Sequence, residues 1–600
     1  MRLTGAASAG DPAAPAGTAA AGTVPAGTVP AGAADQPARA ARPSDPGGLR
    51  PALALTAALA GGLALAAAFP PAGIWPLVIA GPALLTVALW RQNLRASLLA
   101  GLVFGAAFFV PLLSWLVNVA WYAWAALAGT EAVIFGVLAV GQCLLLRLRA
   151  WPLAVAAWWV CAEALRARWP YAFPWGRLAM SQAGAPTARW AAIGGAPLLT
   201  FAAALAAACL AWLVIAWLPP AWLRPGHPAR GGPVRSGPAP DQAVPDRAVP
   251  DQAVPDQAGR HQRRRKALPA VAFGCAAAVA LGGRLLPVDQ AGPADATAAV
   301  AAVQGNVPRA RNLPALLRAG TVTQNHAAAT EQLAARVRAG LVPDPGVVIW
   351  PENSTDLDPS LYPTIYGTIA AAVSSVNRPV LVGAVLQDPR RNAGQLWLPR
   401  RGPVAVYVKR QLVPFGEYIP LRGLLSHLTS LTALQPVNFT AGRRAVVFRL
   451  GKIRLGDIIC YEVSFDALVR SEVTAGANLL AVQSNDADFE LDGQTGESQQ
   501  QIAMARIRAI ESNRAVVYAS TTGESAIIEP DGTVLARTGL WQRSELDARL
   551  PLRTGLTLAD RLGSWPETAG TVATLAALAW VLAAAALGRR RRRRSRGACP

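Results

Sequence analysis

Gly456-Asp457-Ile458-Ile459-Cys460-Tyr461-Glu462 is the stretch on which the reading of this chain turns. Apolar β-branched residues run directly into a thiol, an aromatic ring and a carboxylate. Of the six cysteines, Cys143, Cys161, Cys209 and Cys275 lie in long apolar runs and Cys599 lies in the C-terminal tail. Cys460 alone falls in the large polar segment. Without a disulfide partner there, it is either a small buried hydrophobe or a nucleophile, and Ile458-Ile459 before it fits the first as well as the second.

The surrounding segment, 287–567, reads as a globular α/β domain. Apolar β-type runs occur at Ala298–Val303, Val347–Trp350, Val380–Val385, Val404–Val408, Ile458–Cys460, Leu479–Val482 and Val516–Tyr518. Helical patterns fall between several of them, near 321–340, 360–376, 464–475 and 494–513. Short strands alternating with helices predict a layered α/β fold. A segment of about 280 residues can bury a sizeable core.

Outside that segment the composition changes. The chain is 53% hydrophobic and 15% charged, and its apolar residues gather in long runs. Runs near 20 residues match the thickness of a bilayer's hydrocarbon. Eight spans are expected, at 51–69, 72–90, 98–119, 121–146, 151–166, 190–217, 267–286 and 568–588. Trp75, Trp90, Trp115, Trp121 and Trp124 fall near span ends, where tryptophan anchors at the interface. The first run begins only near Pro51, too late for the usual cleavable signal peptide.

The net charge of +21 is placed beside these spans. Arg91 and Arg95, Arg147 and Arg149, Arg263 to Lys266, and the arginines of the basic tail 589–600 all fall on one side if the spans alternate. That side is then the cytoplasm, which holds both termini and leaves 287–567 outside. Anionic lipid is a natural partner for such clusters. Nucleic acid is not, because no recognition motif or stacking platform accompanies the charge. Residues 1–50, rich in Ala, Pro and Gly, cannot bury a core and are expected to be a disordered tail. The loop 218–266, with its tandem AVPDQ repeats, reads as a low-complexity cytoplasmic linker.

Four segments of the α/β domain place reactive side chains at strand ends, where such folds carry their sites. Glu352 follows Val348-Ile349-Trp350-Pro351. Lys409 ends a strand-like run and leads into Leu412-Val413-Pro414-Phe415-Gly416-Glu417-Tyr418. Cys460 is followed by Tyr461 and Glu462. Gln483-Ser484-Asn485-Asp486-Ala487-Asp488 follows the run Leu479–Val482. Each alone has an ordinary explanation: a loop carboxylate, a surface lysine, a core thiol, a turn.

Taken in order, the four resemble the nitrilase superfamily, whose signature is a Glu–Lys–Cys triad. With about seven spans before the domain and one after it, the chain resembles the membrane-embedded apolipoprotein N-acyltransferases of that superfamily, over roughly residues 50–590. The loop Phe173-Pro174-Trp175-Gly176-Arg177 with Ser181-Gln182 is similar to that family's segment before the sixth span. Asp488 departs from it, since the family often has an aromatic there.

The resemblance implies an αββα sandwich outside the membrane and a multi-pass helical bundle in the cell membrane. It implies Glu352 as general base, Lys409 as oxyanion stabiliser and Cys460 as nucleophile, with Glu417, Tyr461, Glu462 and Asn485 in support. It further implies a phospholipid acyl donor and a diacylglyceryl-lipoprotein acceptor, joined through a thioester. A membrane-anchored amidase or an inactive nitrilase-like scaffold is the alternative. No cofactor or metal is expected: His227, His261, His326 and His427 are scattered, and no dinucleotide or phosphate-loop motif occurs. The leucines at 421, 424, 425, 428, 431 and 434 have helical spacing and suit either a lipid-facing arm or a core helix.

Overall fold

The computed structural model describes residues 47–223, 267, 269–278, 281–287, 292–308, 314–428, 435–490 and 496–596. Most of the N-terminal tail, the AVPDQ loop with Arg263–Lys266, Leu431, Leu434 and Cys599 lie outside them. The side chains of Leu424, Leu425 and Leu428 do as well.

Six helices described in full come first, α1 (Pro51–Ala67), α2 (Leu77–Leu89), α3 (Leu94–Leu112), α4 (Trp121–Leu145), α5 (Trp151–Arg166) and α6 (Ala191–Trp217), and the described residues 269–278 of the seventh expected span are helical as well. The α/β domain carries α7 (Ala315–Arg338), α8 (Pro363–Val376), α9 (Arg422–Leu428), α10 (Asp466–Thr474), α11 (Gly496–Ser512) and α12 (Leu558–Leu562). The last helix, α13, runs Trp565–Arg596. Of the eight spans suggested by hydropathy, four correspond to helices long and apolar enough to cross a membrane: Leu94–Leu112, Trp121–Leu145, Pro186–Trp217 and Trp565–Arg590. Pro51–Ala67 and Leu77–Leu89 are apolar but shorter. Helix α6 breaks at Gly194 and Gly195, and the φ of +68° at Gly195 is a backbone conformation that favours glycine.

The α/β domain holds two six-stranded sheets. One has the order β12-β1-β2-β3-β4-β5 and the other β11-β10-β9-β8-β7-β6. The first uses β1 (Ala296–Gln304), β2 (Val348–Ile349), β3 (Val380–Leu386), β4 (Arg391–Leu398), β5 (Gly402–Val408) and β12 (Ser544–Leu552). The second uses β6 (Val447–Leu450), β7 (Ile453–Ile459), β8 (Leu479–Ser484), β9 (Val516–Ser520), β10 (Ala526–Ile528) and β11 (Val534–Arg537). β1-β2-β3 and β7-β8-β9 are parallel; the other pairings are antiparallel.

The two-residue period of a strand explains the layering. Ala301, Val303, Val348, Trp350, Val380, Val382 and Trp397 point one way and pack with Leu333, Ile369 and Val373 of α7 and α8. Their neighbours Val300, Ala302, Ile349, Leu381 and Leu396 point the other way, into a core shared with Leu455, Ile459, Leu479 and Ala481. Helices α10 and α11 cover the far face of the second sheet, completing an αββα sandwich, and α11 also packs on α6 of the bundle. This helix is therefore buried on two sides, between sheet and bundle.

Candidate active site

Four strand ends converge between the sheets. Glu352 follows β2, Lys409 follows β5, Cys460 follows β7 and Asn485 follows β8. The Glu352 loop crosses directly over β3. A Cβ on Gly383 would lie 2.1 Å from the Pro351 carbonyl oxygen, so only glycine lets the two backbones approach. Ser354 Oγ and the Thr355 amide then donate to the Gly383 carbonyl, at 2.9 and 3.1 Å, and fasten the loop.

Lys409 Nζ donates to Glu352 Oε1 at 2.8 Å and to Glu417 Oε1 at 3.1 Å. Its side chain is 1% exposed. Asn392 Nδ2, on β4, donates to the same two oxygens, at 2.6 and 2.8 Å. Glu352 Oε2 accepts from the Asn485 amide at 3.1 Å. Glu417 Oε2 accepts from the Val413 amide at 2.7 Å, closing the Pro414-Phe415-Gly416 turn on itself. The result is a buried cation between two carboxylates, with one amide side chain bridging them.

Burial alone would push Lys409 down, but Glu352 and Glu417 outweigh it and hold the ammonium well above its ordinary range. Burial pushes Glu352 up; Lys409 opposes that shift and Glu417 adds to it. Burial also pushes the Cys460 thiol well up, with Glu352 adding to the shift and Lys409 opposing it. Burial of this kind favours the neutral thiol, and a thiol so placed can act as a nucleophile only where a base removes its proton.

Cys460 has φ +52°, a left-handed backbone that a non-glycine residue holds at a cost of about 1–3 kcal/mol. Its surroundings hold it there. Glu462, with no exposed surface, accepts from the Ile459 amide at 2.8 Å and from Tyr407 Oη at 2.8 Å. Its other oxygen accepts from the Arg410 and Gln411 amides at 2.7 and 3.1 Å. Glu462 thus ties the chain after Lys409 to the chain before Cys460. From α11, Arg508 donates to the carbonyls of Val463 and Ser464, at 2.9 and 3.1 Å.

Tyr461 turns away from the carboxylates and toward the bundle. Its hydroxyl donates to the Ala172 carbonyl at 2.6 Å, and its ring stacks on Phe173 and Trp175 with centroids 6.3 and 6.4 Å apart. The loop 167–189 thereby forms a floor beneath the cysteine turn. Arg177 of that loop pairs with Asp466 at 2.8 Å. Asp488 is exposed; the aromatic here is the next residue, Phe489, whose ring meets Trp115 edge-on at 5.1 Å. Leu421 is 76% exposed at the start of α9.

Asn392 and Arg508 carry no pattern that singles them out in a sequence. A lone asparagine in a polar-looking strand and a helix arginine have too many ordinary uses. Among the described residues there is no group of three or more His, Cys, Asp or Glu side chains that could hold a metal ion.

Two family models match the chain: the apolipoprotein N-acyltransferase N-terminal domain over residues 61–209 and carbon-nitrogen hydrolase over residues 300–555. An amidase structure from Nesterenkonia sp. superposes with a TM-score of only 0.33 at 17% identity, over 43% of this chain and 91% of that one, and adds no weight. Apolipoprotein N-acyltransferase of Azotobacter vinelandii is 30% identical over 92% of this chain and 97% of its own length. That of Mycolicibacterium smegmatis is 36% identical over 87% of this chain and 84% of its own. Identity of that extent, running through both the bundle and the α/β domain, places the chain in the apolipoprotein N-acyltransferase family.

Proposed function

We propose that the chain N-acylates lipoproteins: it takes an acyl chain from a phospholipid onto Cys460 and passes it to the α-amine of an N-terminal diacylglyceryl-cysteine. The observation that carries this reading is the burial of the Cys460 thiol between the sheets with the Glu352–Lys409–Glu417 cluster, on a domain whose cysteine turn rests on the loop 167–189 of the helical bundle. A soluble substrate needs no such floor; acyl chains held in a bilayer do.

Glu352 removes the thiol proton as Sγ attacks the ester carbonyl. Lys409 offsets the negative charge on the tetrahedral oxyanion. The C–O bond breaks, the lysophospholipid oxygen takes the proton back from Glu352, and the acyl group remains as a thioester. The neutral amine of the second substrate then attacks the thioester carbon. Its surplus proton passes to Glu352 and from there to the departing thiolate, leaving an amide. Glu417 and Asn392 keep Lys409 and Glu352 in register, and Glu462 and Asn485 hold the backbone around them. The placement of Arg91, Arg95, Arg147, Arg149 and the arginine tail beside the apolar runs supports an extracytoplasmic α/β domain.

The test is an incubation of the full chain with labelled phospholipid, followed by mass spectrometry of the Cys460 peptide and a chase with diacylated lipopeptide. An acyl adduct that moves to the lipopeptide is expected. An adduct lost only to water makes the chain a hydrolase. Absence of any adduct, with Cys460→Ser indistinguishable from the parent, overturns the reading. Labelling of single cysteines placed in exposed loops of the α/β domain, from outside intact cells, checks the side of the membrane.

A further inference from the structure

Three consecutive glutamines near the start of α11 reach in three directions. Gln499 Nε2 donates to Glu524 Oε1 at 3.0 Å. Gln500 joins the bundle: its Nε2 donates to the Pro70 and Leu112 carbonyls, each at 3.1 Å, and its Oε1 accepts from Trp175 Nε1 at 2.6 Å. Gln501 points into the sandwich. Its Nε2 donates to Cys460 Sγ at 3.5 Å and to Glu497 Oε1 one helical turn back. Gln501 has no exposed surface, and its Oε1 has no hydrogen-bond partner.

The company around the thiol makes that donor matter. Glu352 faces it from the first sheet, Asp486 and Tyr518 from the ends and strands of the second, and Glu497 from α11. The three carboxyl groups resist the formation of a thiolate, while the Tyr518 hydroxyl is held neutral by burial. Lys409 opposes them, but it is already committed to two carboxylates. The Gln501 amide, a donor that reaches the sulfur itself, supplies what the cluster lacks. A bond of this length to a neutral thiol is weak, and it strengthens when sulfur acquires charge. It therefore favours the charged form over the resting one, which is the kind of interaction that lowers a barrier.

We infer that Gln501 is a thiolate-stabilising residue for Cys460, aimed at the sulfur by the neighbouring Gln500 clamp on the bundle. This rests on the reading of Cys460 as the nucleophile. The chemical requirement is one N–H donor reaching Sγ in both half-reactions, first when the thiol proton leaves and again when the thioester C–S bond breaks.

The experiment needs no lipid substrate. The full chain in micelles is alkylated with iodoacetamide over a range of pH, and the rate at the Cys460 peptide is read by mass spectrometry, apart from the other cysteines. Gln501→Leu should move the midpoint of the rate profile up by about one pH unit, slowing alkylation about tenfold below the midpoint and leaving the high-pH plateau unchanged. Gln499→Leu, on the same turn, should follow the parent. A Gln501→Leu profile that superposes on the parent overturns the inference. If the leucine variant does not fold, Gln501→Asn withdraws the amide by one methylene and is judged by the same shift. A shifted profile together with no acyl adduct from phospholipid would leave the inference standing and refute the proposed function.

Discussion

Asn392 is the most demanding test of the site. It is 3% exposed, and its single Nδ2 serves both carboxylates, at 2.6 Å to Glu352 and 2.8 Å to Glu417. Replacement by leucine removes two hydrogen bonds to charged acceptors, each contributing roughly 1.5–3 kcal/mol. Lys409 remains beside both oxygens and can tighten onto them, so the net loss should be about 2–3 kcal/mol, or roughly 30- to 160-fold in kcat/KM. The same change has a signature in pH. In the proposed mechanism Glu352 must be ionised to take a proton; burial raises it, and the Asn392 donor lowers it. Losing that donor should carry the acid limb of the rate profile upward by about one to two pH units, so part of the activity returns as pH rises. Asn392→Asp should be worse than leucine, because it sets a third carboxylate against the other two. The assay is transfer of a labelled acyl chain to a diacylated lipopeptide in mixed micelles. An Asn392→Leu enzyme with the parent's acid limb and a rate within about threefold of it would refute this account of the cluster.

Other outcomes follow from neighbouring contacts. Gly383→Ala should abolish transfer while the helical bundle still assembles, since the new Cβ has no space at the Pro351 carbonyl; a variant with near-parent activity would contradict the close approach. Tyr461→Phe should lose the bond to Ala172, about 1 kcal/mol, and speed hydrogen exchange in loop 167–189 while leaving the Cys460 thiol in place; unchanged exchange there would rule out the docking role. Burial pushes His326 down from 6.5 to about 4, so the unfolded chain takes up a proton there before the folded one. Its contribution is intact above pH 6.5 and is lost as pH falls toward 4, by roughly 3 kcal/mol at the bottom of that window. His326→Gln should flatten that part of the thermal midpoint's pH dependence, and parallel curves for the two proteins would exclude His326 as the source.

The parts of the fold legible in the sequence are those whose burial is uniform along the chain. β3, β8 and β9 are buried throughout and read as continuous apolar runs. β4 was hidden because Asn392, Gln395 and Gly394 break its apolar pattern, yet all three point to a purpose. Asn392 serves the carboxylates, Gln395 accepts from Trp397, and Gly394 makes room for Asp457 across the sandwich. β12 was hidden by its charges, which alternate along a strand paired only on one side, with β1. The positions of Glu352, Lys409 and Cys460 after strand ends were legible, because each follows an apolar run in the chain. Asn392, Gln501 and Arg508 were not, because an amide or guanidinium that acts by contact leaves no spacing rule in the chain.

The Tyr461–Ala172 and Gln500–Leu112 contacts also set an order of events during biosynthesis. The carbonyls of Pro70, Leu112 and Ala172 leave the ribosome long before Gln500 and Tyr461 do. The helical half is then the mould and the sandwich the casting, so a truncated chain has a floor but no Cys460 turn, and the sandwich expressed alone would have that turn with its aromatic underside bare to water. Attempts to obtain the catalytic half as a soluble reagent should therefore begin by redesigning Tyr461 and Gln500 rather than by trimming the ends.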